Sequence, residues 1–202
     1  MKSSGLLVAL VIVGAIGIVL LGLVLWGTGM YNSLVSSDES VSSAWSQVEN
    51  QYQRRADLIP NLVATVKGFA AQEREVLMGV TEARAKVSQM TVTKDVLEDP
   101  EAFARFQAAQ DEFSSAISRL LVVAENYPQL KSNENFLTLQ DQLEGTENRI
   151  GIERRRFNEQ VQVYNTAIRR FPGSLVAMFT GFKEKQYFKA REGAEQAPQV
   201  EF

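Results

Sequence analysis

Residues 6–26 contain no charged side chain, and this run limits what the chain can become more than any other feature. A helix rises about 1.5 Å per residue, so the run reaches about 31 Å, the hydrocarbon thickness of a bilayer. It is longer than the apolar core of an ordinary signal peptide, and Trp26-Gly27-Thr28-Gly29-Met30 offers no small-x-small cleavage site. The reading is a retained single-pass anchor over residues 1–30, spanning at about 6–26, rather than a cleaved signal peptide. Lys2 precedes the span, and the next basic residue is Arg54, beyond Asp38 and Glu39. The positive-inside bias then predicts a cytoplasmic N-terminus and an extracytoplasmic remainder.

The 176 residues after Trp26 suffice for one domain with its own core. The chain has neither cysteine nor histidine. That removes disulfides, thiolate chemistry, Ser-His-Asp catalysis and the usual zinc ligand sets. No catalytic residue, metal or cofactor is expected; a hydrolase would have to rest on a carboxylate pair, for which Glu73 and Glu147 are the candidates. Net charge is −3, with the two signs interspersed, so nothing resembles a nucleic-acid-binding face.

Apolar residues recur at steps of three and four along four stripes. The first holds Leu34, Val41, Trp45, Val48 and Tyr52. The second runs from Leu62 and Val66 through Glu73, Val76 and Val80 to Val87 and Met90. The third runs from Phe103 through Gln110 to Tyr127, and the fourth from Phe136 through Arg154 to Phe171. Such seams pack as in coiled coils. The predicted fold is all-α: an N-terminal transmembrane helix, then an antiparallel long-helix bundle of the four-helix type over residues 31–189, then a polar tail over 190–202. Thr91-Val92-Thr93-Lys94 reads as a connector. Asp99-Pro100-Glu101 reads as a helix start, Ser132 or Asn133 as the cap of the last long helix, and Tyr127-Pro128 and Phe171-Pro172-Gly173 as stops. Pro60 is expected to break the first stripe from the second at a tight reversal. Gly27 and Gly29 leave open whether the anchor continues into the first bundle helix.

The densest polar stretch is residues 44–63, containing Trp45-Ser46-Gln47-Val48-Glu49-Asn50 and Arg54-Arg55-Ala56-Asp57 before Pro60-Asn61. Together with Tyr31-Asn32-Ser33-Leu34-Val35, Lys67-Gly68, Tyr164-Asn165, Phe171-Pro172, Gly181-Phe182-Lys183 and Val200-Glu201-Phe202, it closely resembles the LemA family of bacterial membrane proteins. The resemblance covers essentially the whole chain. It implies a membrane helix followed by an α-helical bundle, in a family that includes a protein of magnetosome membranes. It supplies no active site, and implies membrane organisation rather than catalysis.

Three groups are candidate sites. Gln47, Glu49, Asn50, Arg54, Arg55, Asp57 and Asn61 form either an interaction surface, with the arginines gripping a carboxylate or phosphate, or the caps and ion pairs of a helix reversal. Glu73, Gln110 and Arg154 interrupt apolar stripes. They are either a register-setting polar core containing a Glu73–Arg154 pair, a buried acid–base site, or side chains snorkelling at the edge. Leu175, Val176, Phe179, Phe182 and Phe188 are a bundle-end cover, as a short helix or extended strap, or a subunit contact. The anchor contains a Gly5/Ala9 small-xxx-small pair and Gly14, Gly17 and Gly22, which allow close helix approach. The expected role is a scaffold or adaptor in the envelope, held in the cytoplasmic (inner) membrane, self-associating as a homo-oligomer. Its expected partners are the lipid bilayer and an envelope protein, not nucleic acid. The rival reading is a small-ligand or lipid sensor using Arg54, Arg55 and Asp57.

Overall fold

The computed structural model describes residues 2–90 and 93–190. The connector residues Thr91 and Val92 and the tail from 191 onward lie outside them. Seven helices occur among the described residues: α1 (Lys2–Phe69), α2 (Arg74–Ser88), α3 (Lys94–Glu98), α4 (Pro100–Ala124), α5 (Pro128–Lys131), α6 (Glu134–Arg169) and α7 (Gly173–Thr180).

α1 is 68 residues long, about 100 Å. Its first part is apolar and exposed, and it is long and apolar enough to cross a membrane. Without a break it becomes the central helix of the bundle, where Leu34, Val41, Trp45, Val48, Tyr52, Ile59, Leu62 and Val66 are buried in turn. Gly27 and Gly29 lie inside it, so apolar segment and bundle share one helix.

The expected break at Pro60 is corrected: Pro60 lies inside α1, and the chain reverses only at residues 70–73. A proline has no N–H to donate to the carbonyl four residues back, which strands the Ala56 carbonyl. Arg84 of α2 supplies the missing donor, its Nε 2.8 Å from the Ala56 oxygen. One residue thus mends α1 and fixes where α2 lies against it. The second expected stripe therefore belongs to two helices, with Leu62 and Val66 on α1 and Val80, Ala83 and Val87 on α2, where Leu77 is buried in place of the expected Val76.

The other boundaries follow local chemistry. The Asp99 carboxylate accepts from the N–H groups of Glu101 and Ala102 at 2.8 and 3.0 Å, capping α4 ahead of Pro100. These donors, Ala102 first, hold the Asp99 carboxyl below the usual carboxylate range. Asn133 caps α6 by accepting from the Phe136 N–H at 3.1 Å.

Two apolar clusters stack along α1. The far cluster joins α1 to α2, the second half of α4 and the start of α6, a four-helix arrangement centred on Leu62, Val80, Phe113, Leu120 and Leu143. The near cluster, next to the apolar segment, joins α1 to α3, the start of α4 and the rest of α6. It is rich in aromatics: Trp45 meets Phe106 and Phe157 edge-on at 5.4 Å and stacks on Phe188 at 5.9 Å. α2 contributes no residue to the near cluster, and a non-helical strap, residues 182–189, packs there instead.

The strap is bound by carboxamides. Asn165 donates Nδ2–H to the Lys185 carbonyl and accepts from the Lys185 N–H, both at 2.9 Å. Asn158 does the same to Phe188 at 3.0 and 2.9 Å, and Gln107 of α4 to Lys189 at 2.9 and 3.3 Å. Asn158 and Asn165 are seven residues apart, about 10.5 Å along a helix. Three residues of extended chain cover about 10 Å, so an antiparallel strap matches that spacing. Two glycines deliver it. A Cβ on Gly173 would stand 2.2 Å from the Ala167 carbonyl oxygen, so only glycine lets α7 fold back on α6. Gly181, at φ 79°, ends α7 in the left-handed conformation and releases the strap.

Candidate functional site

Where the two clusters meet, α1 presents Arg55 to the interior. The side chain is 1% exposed. Its Nη1 donates to Ser114 Oγ at 2.7 Å and Glu147 Oε1 at 2.6 Å, and its Nη2 donates to Gln110 Oε1 at 2.6 Å. The guanidinium carbon lies 4.9 Å from the Phe113 ring centre and 5.3 Å from that of Tyr52. Three helices, α1, α4 and α6, are thereby tied to one planar cation. Glu147 is half-exposed, so the ion pair opens to solvent on one side while its cation stays dry.

Beside it, Arg154 Nε donates to the Tyr52 hydroxyl at 2.6 Å, stacks over Phe188 at 4.8 Å and lies 3.8 Å from Asp111. Burial pushes the Tyr52 hydroxyl pKa up, and Arg154 partly offsets it. A small cleft of about 130 Å³ opens here between Glu49, Tyr52, Gln53, Met90 and Gln110. Burial raises the Glu49 carboxyl.

A second buried cation sits nearer the apolar segment. Lys185 of the strap, 4% exposed, reaches Glu98 at 2.7 Å and Asp38 at 3.1 Å and lies over the Tyr164 ring at 5.5 Å. The Tyr164 hydroxyl donates to the Lys183 carbonyl at 2.9 Å. Burial first, then Asp38 and Glu98, drive its pKa well above the usual tyrosine value.

The predicted residues divide accordingly. Gln110 and Arg55 join one network, but Arg54 and Asp57 stand on exposed faces, and Asp57 accepts from Gln53 at 2.8 Å. Gln47, Asn50 and Asn61 are also exposed. The arginine pair with Asp57 is therefore not one binding group, and no reversal lies there for it to cap. The Glu73–Arg154 pair does not form either. Glu73, which immediately precedes α2, accepts from the Tyr127 hydroxyl at 2.8 Å, and this bond raises the Tyr127 pKa. Of the C-terminal group, Phe188 is buried, Val176 and Phe182 are half-buried, and Leu175 and Phe179 are exposed. The segment is at once a short helix and a strap. Gly5 and Ala9 lie where no side chains are described. Sequence reasoning missed Lys185, Asn158 and Asn165; the seven-residue spacing of the two asparagines was the available signal.

The profile of the LemA family matches residues 44–202. Magnetosome protein MamQ of Magnetospirillum gryphiswaldense is 29% identical over 174 residues, covering 78% of this chain and 64% of that one. Magnetosome protein MamQ 2 of Paramagnetospirillum magneticum is 27% identical over 178 residues, covering 80% and 65%. Protein LemA of Metamycoplasma hominis is 23% identical over 164 residues, covering 81% and 71%. The chain thus spans just under two thirds of the MamQ relatives it matches. The profile takes in Arg55, Arg154 and the strap, while the apolar part of α1 precedes it.

Proposed function

The chain belongs to the LemA family, and from that premise we propose that it is a membrane-anchored scaffold or adaptor of the bacterial envelope. Its apolar segment sits in the cytoplasmic membrane and its bundle stands outside the cytoplasm. The observation that carries this reading is the continuity of α1: the segment able to cross a bilayer and the core of the bundle are one helix. The two buried cations among the described residues, Arg55 and Lys185, are spent on holding elements together rather than on presenting reactive groups. Gly14, Gly17 and Gly22 of the apolar segment support self-association, since small residues let a second helix approach closely.

Mass photometry of the detergent-extracted chain is expected to show oligomers; monomers at every concentration would refute self-association. A Ser132→Cys variant in intact cells is expected to react with a membrane-impermeant maleimide. Labelling only after the membrane is opened would place the bundle inside. The sensor reading lacks its binding group, because Arg55 is sealed among Ser114, Glu147, Gln110, Phe113 and Tyr52 while Arg54 and Asp57 face solvent.

A further inference from the structure

α7 is apolar on both faces. Gly173 and Ala177 are buried against the bundle. Leu175, Met178 and Phe179 point away from it, joined by Phe171 from the turn before the helix; Phe171 is 78% exposed and Phe179 82%. An exposed apolar cluster of this kind marks a partner.

Its height along α1 identifies the partner. α6 runs antiparallel to α1 with the Phe157 ring 5.4 Å from Trp45. Phe171, fourteen residues further along, therefore comes down at the level of Tyr31, fourteen residues back. The Phe182 ring, just beyond α7, lies 5.9 Å from Tyr31. Tyr31 is five residues beyond Trp26, the last residue of the strongly apolar run. Five residues of helix are about 7.5 Å, and the polar layer on each side of the hydrocarbon is about 5–8 Å deep. The segment from Phe171 to Phe182 thus comes down to about headgroup depth, with Phe182 beside the Tyr31 ring, which suits that layer. Exposed Arg170 and Lys183 flank it at its two ends, as at a surface that meets anionic lipid, while Arg169 lies 3.7 Å from Glu184.

We infer that α7 with Phe171 is a second membrane contact. Phe171, Leu175, Met178 and Phe179 enter the headgroup–acyl boundary of the bilayer that α1 crosses, and the flanking cations meet anionic headgroups. The inference rests on α1 being membrane-spanning. Two attachment points fix the rotation and tilt of the bundle on the bilayer, which one helix alone does not.

The chain has no cysteine, so single spin labels report single sites. Full-length Met178→Cys and Phe179→Cys, with Leu20→Cys and Ser132→Cys as references, are labelled in vesicles of equal parts phosphatidylcholine and phosphatidylglycerol. Both α7 positions are exposed, so neither substitution removes a core contact, and far-UV circular dichroism checks the fold. The oxygen-to-nickel accessibility ratio at 178 and 179 is expected several-fold above that at 132, approaching that at 20. Values like those at 132 would overturn the inference. So would labels shielded from both quenchers and broadened by one another, which would mean that a second copy covers the face. An aqueous reading at Leu20 would instead sink the anchor itself.

Discussion

Arg84→Ala tests how α1 survives its proline. The substitution removes the donor that serves the Ala56 carbonyl, at a residue only 6% exposed. A buried acceptor left unpaired costs about 1–3 kcal/mol, and a charge-assisted bond lies in the upper part of that range, so about 2 kcal/mol is expected. In a domain of this size each kcal/mol shifts the melting temperature by about 2–4 °C, giving a fall of about 4–8 °C. In a Pro60→Ala background, residue 60 recovers its N–H and bonds Ala56 itself. Arg84→Ala should then cost about 0.5 kcal/mol, as a surface change does. The coupling of about 1.5 kcal/mol exceeds the ~0.3–0.5 kcal/mol within which independent sites add. Four thermal melts in detergent micelles, followed by far-UV circular dichroism, supply the cycle. An equal cost of Arg84→Ala in both backgrounds would refute the reasoning, because packing of the arginine stem is lost in both and cancels.

Arg55→Ala should cost about 3 kcal/mol or more, since it strips a buried three-helix tie. Arg55→Lys should not rescue it, because an ammonium cannot reproduce the fork; urea midpoints measure both. Asn165→Ala leaves the Lys185 peptide unpaired, so trypsin should cut at Lys183, Lys185 and Lys189 several-fold faster, and an unchanged rate would show that the strap is held otherwise. The Asp99 carboxyl lies below its ordinary value in the folded chain. Its cap is therefore fully stabilising above the unfolded aspartate pKa of about 3.9, and that stabilisation is lost as pH falls through the lowered folded value. Asp99→Asn caps without titrating, so the gap between its acid melting curve and that of the parent chain should narrow as pH drops.

Helical character, the first, third and fourth stripes and the cap at Asp99 were legible, and the last cap narrowed to Ser132 or Asn133, because each depends on residues within a few positions. Pro60 was misread because its remedy, Arg84, comes from another helix. Local rules forbid the proline; only packing forgives it. Arg54 and Arg55 looked like a pair, yet neighbours on a helix point about 100° apart, which is why one is dry and the other wet. Glu73 appeared on an apolar stripe because that stripe crossed a turn invisible in its spacing. The strap was least legible: its contacts run through backbone groups, which every residue has, and its partners are ordinary amides.

The strap also sets an order of events. Lys185 closes onto Asp38, and Phe188 onto Trp45, so the first-made part of the bundle is sealed by residues made long after it. While the chain grows, α1, α2, α4 and the start of α6 can already assemble the far half, but the half beside the apolar segment keeps an open aromatic trough. Arrival of the strap, rather than formation of α1, is the moment at which that half can close.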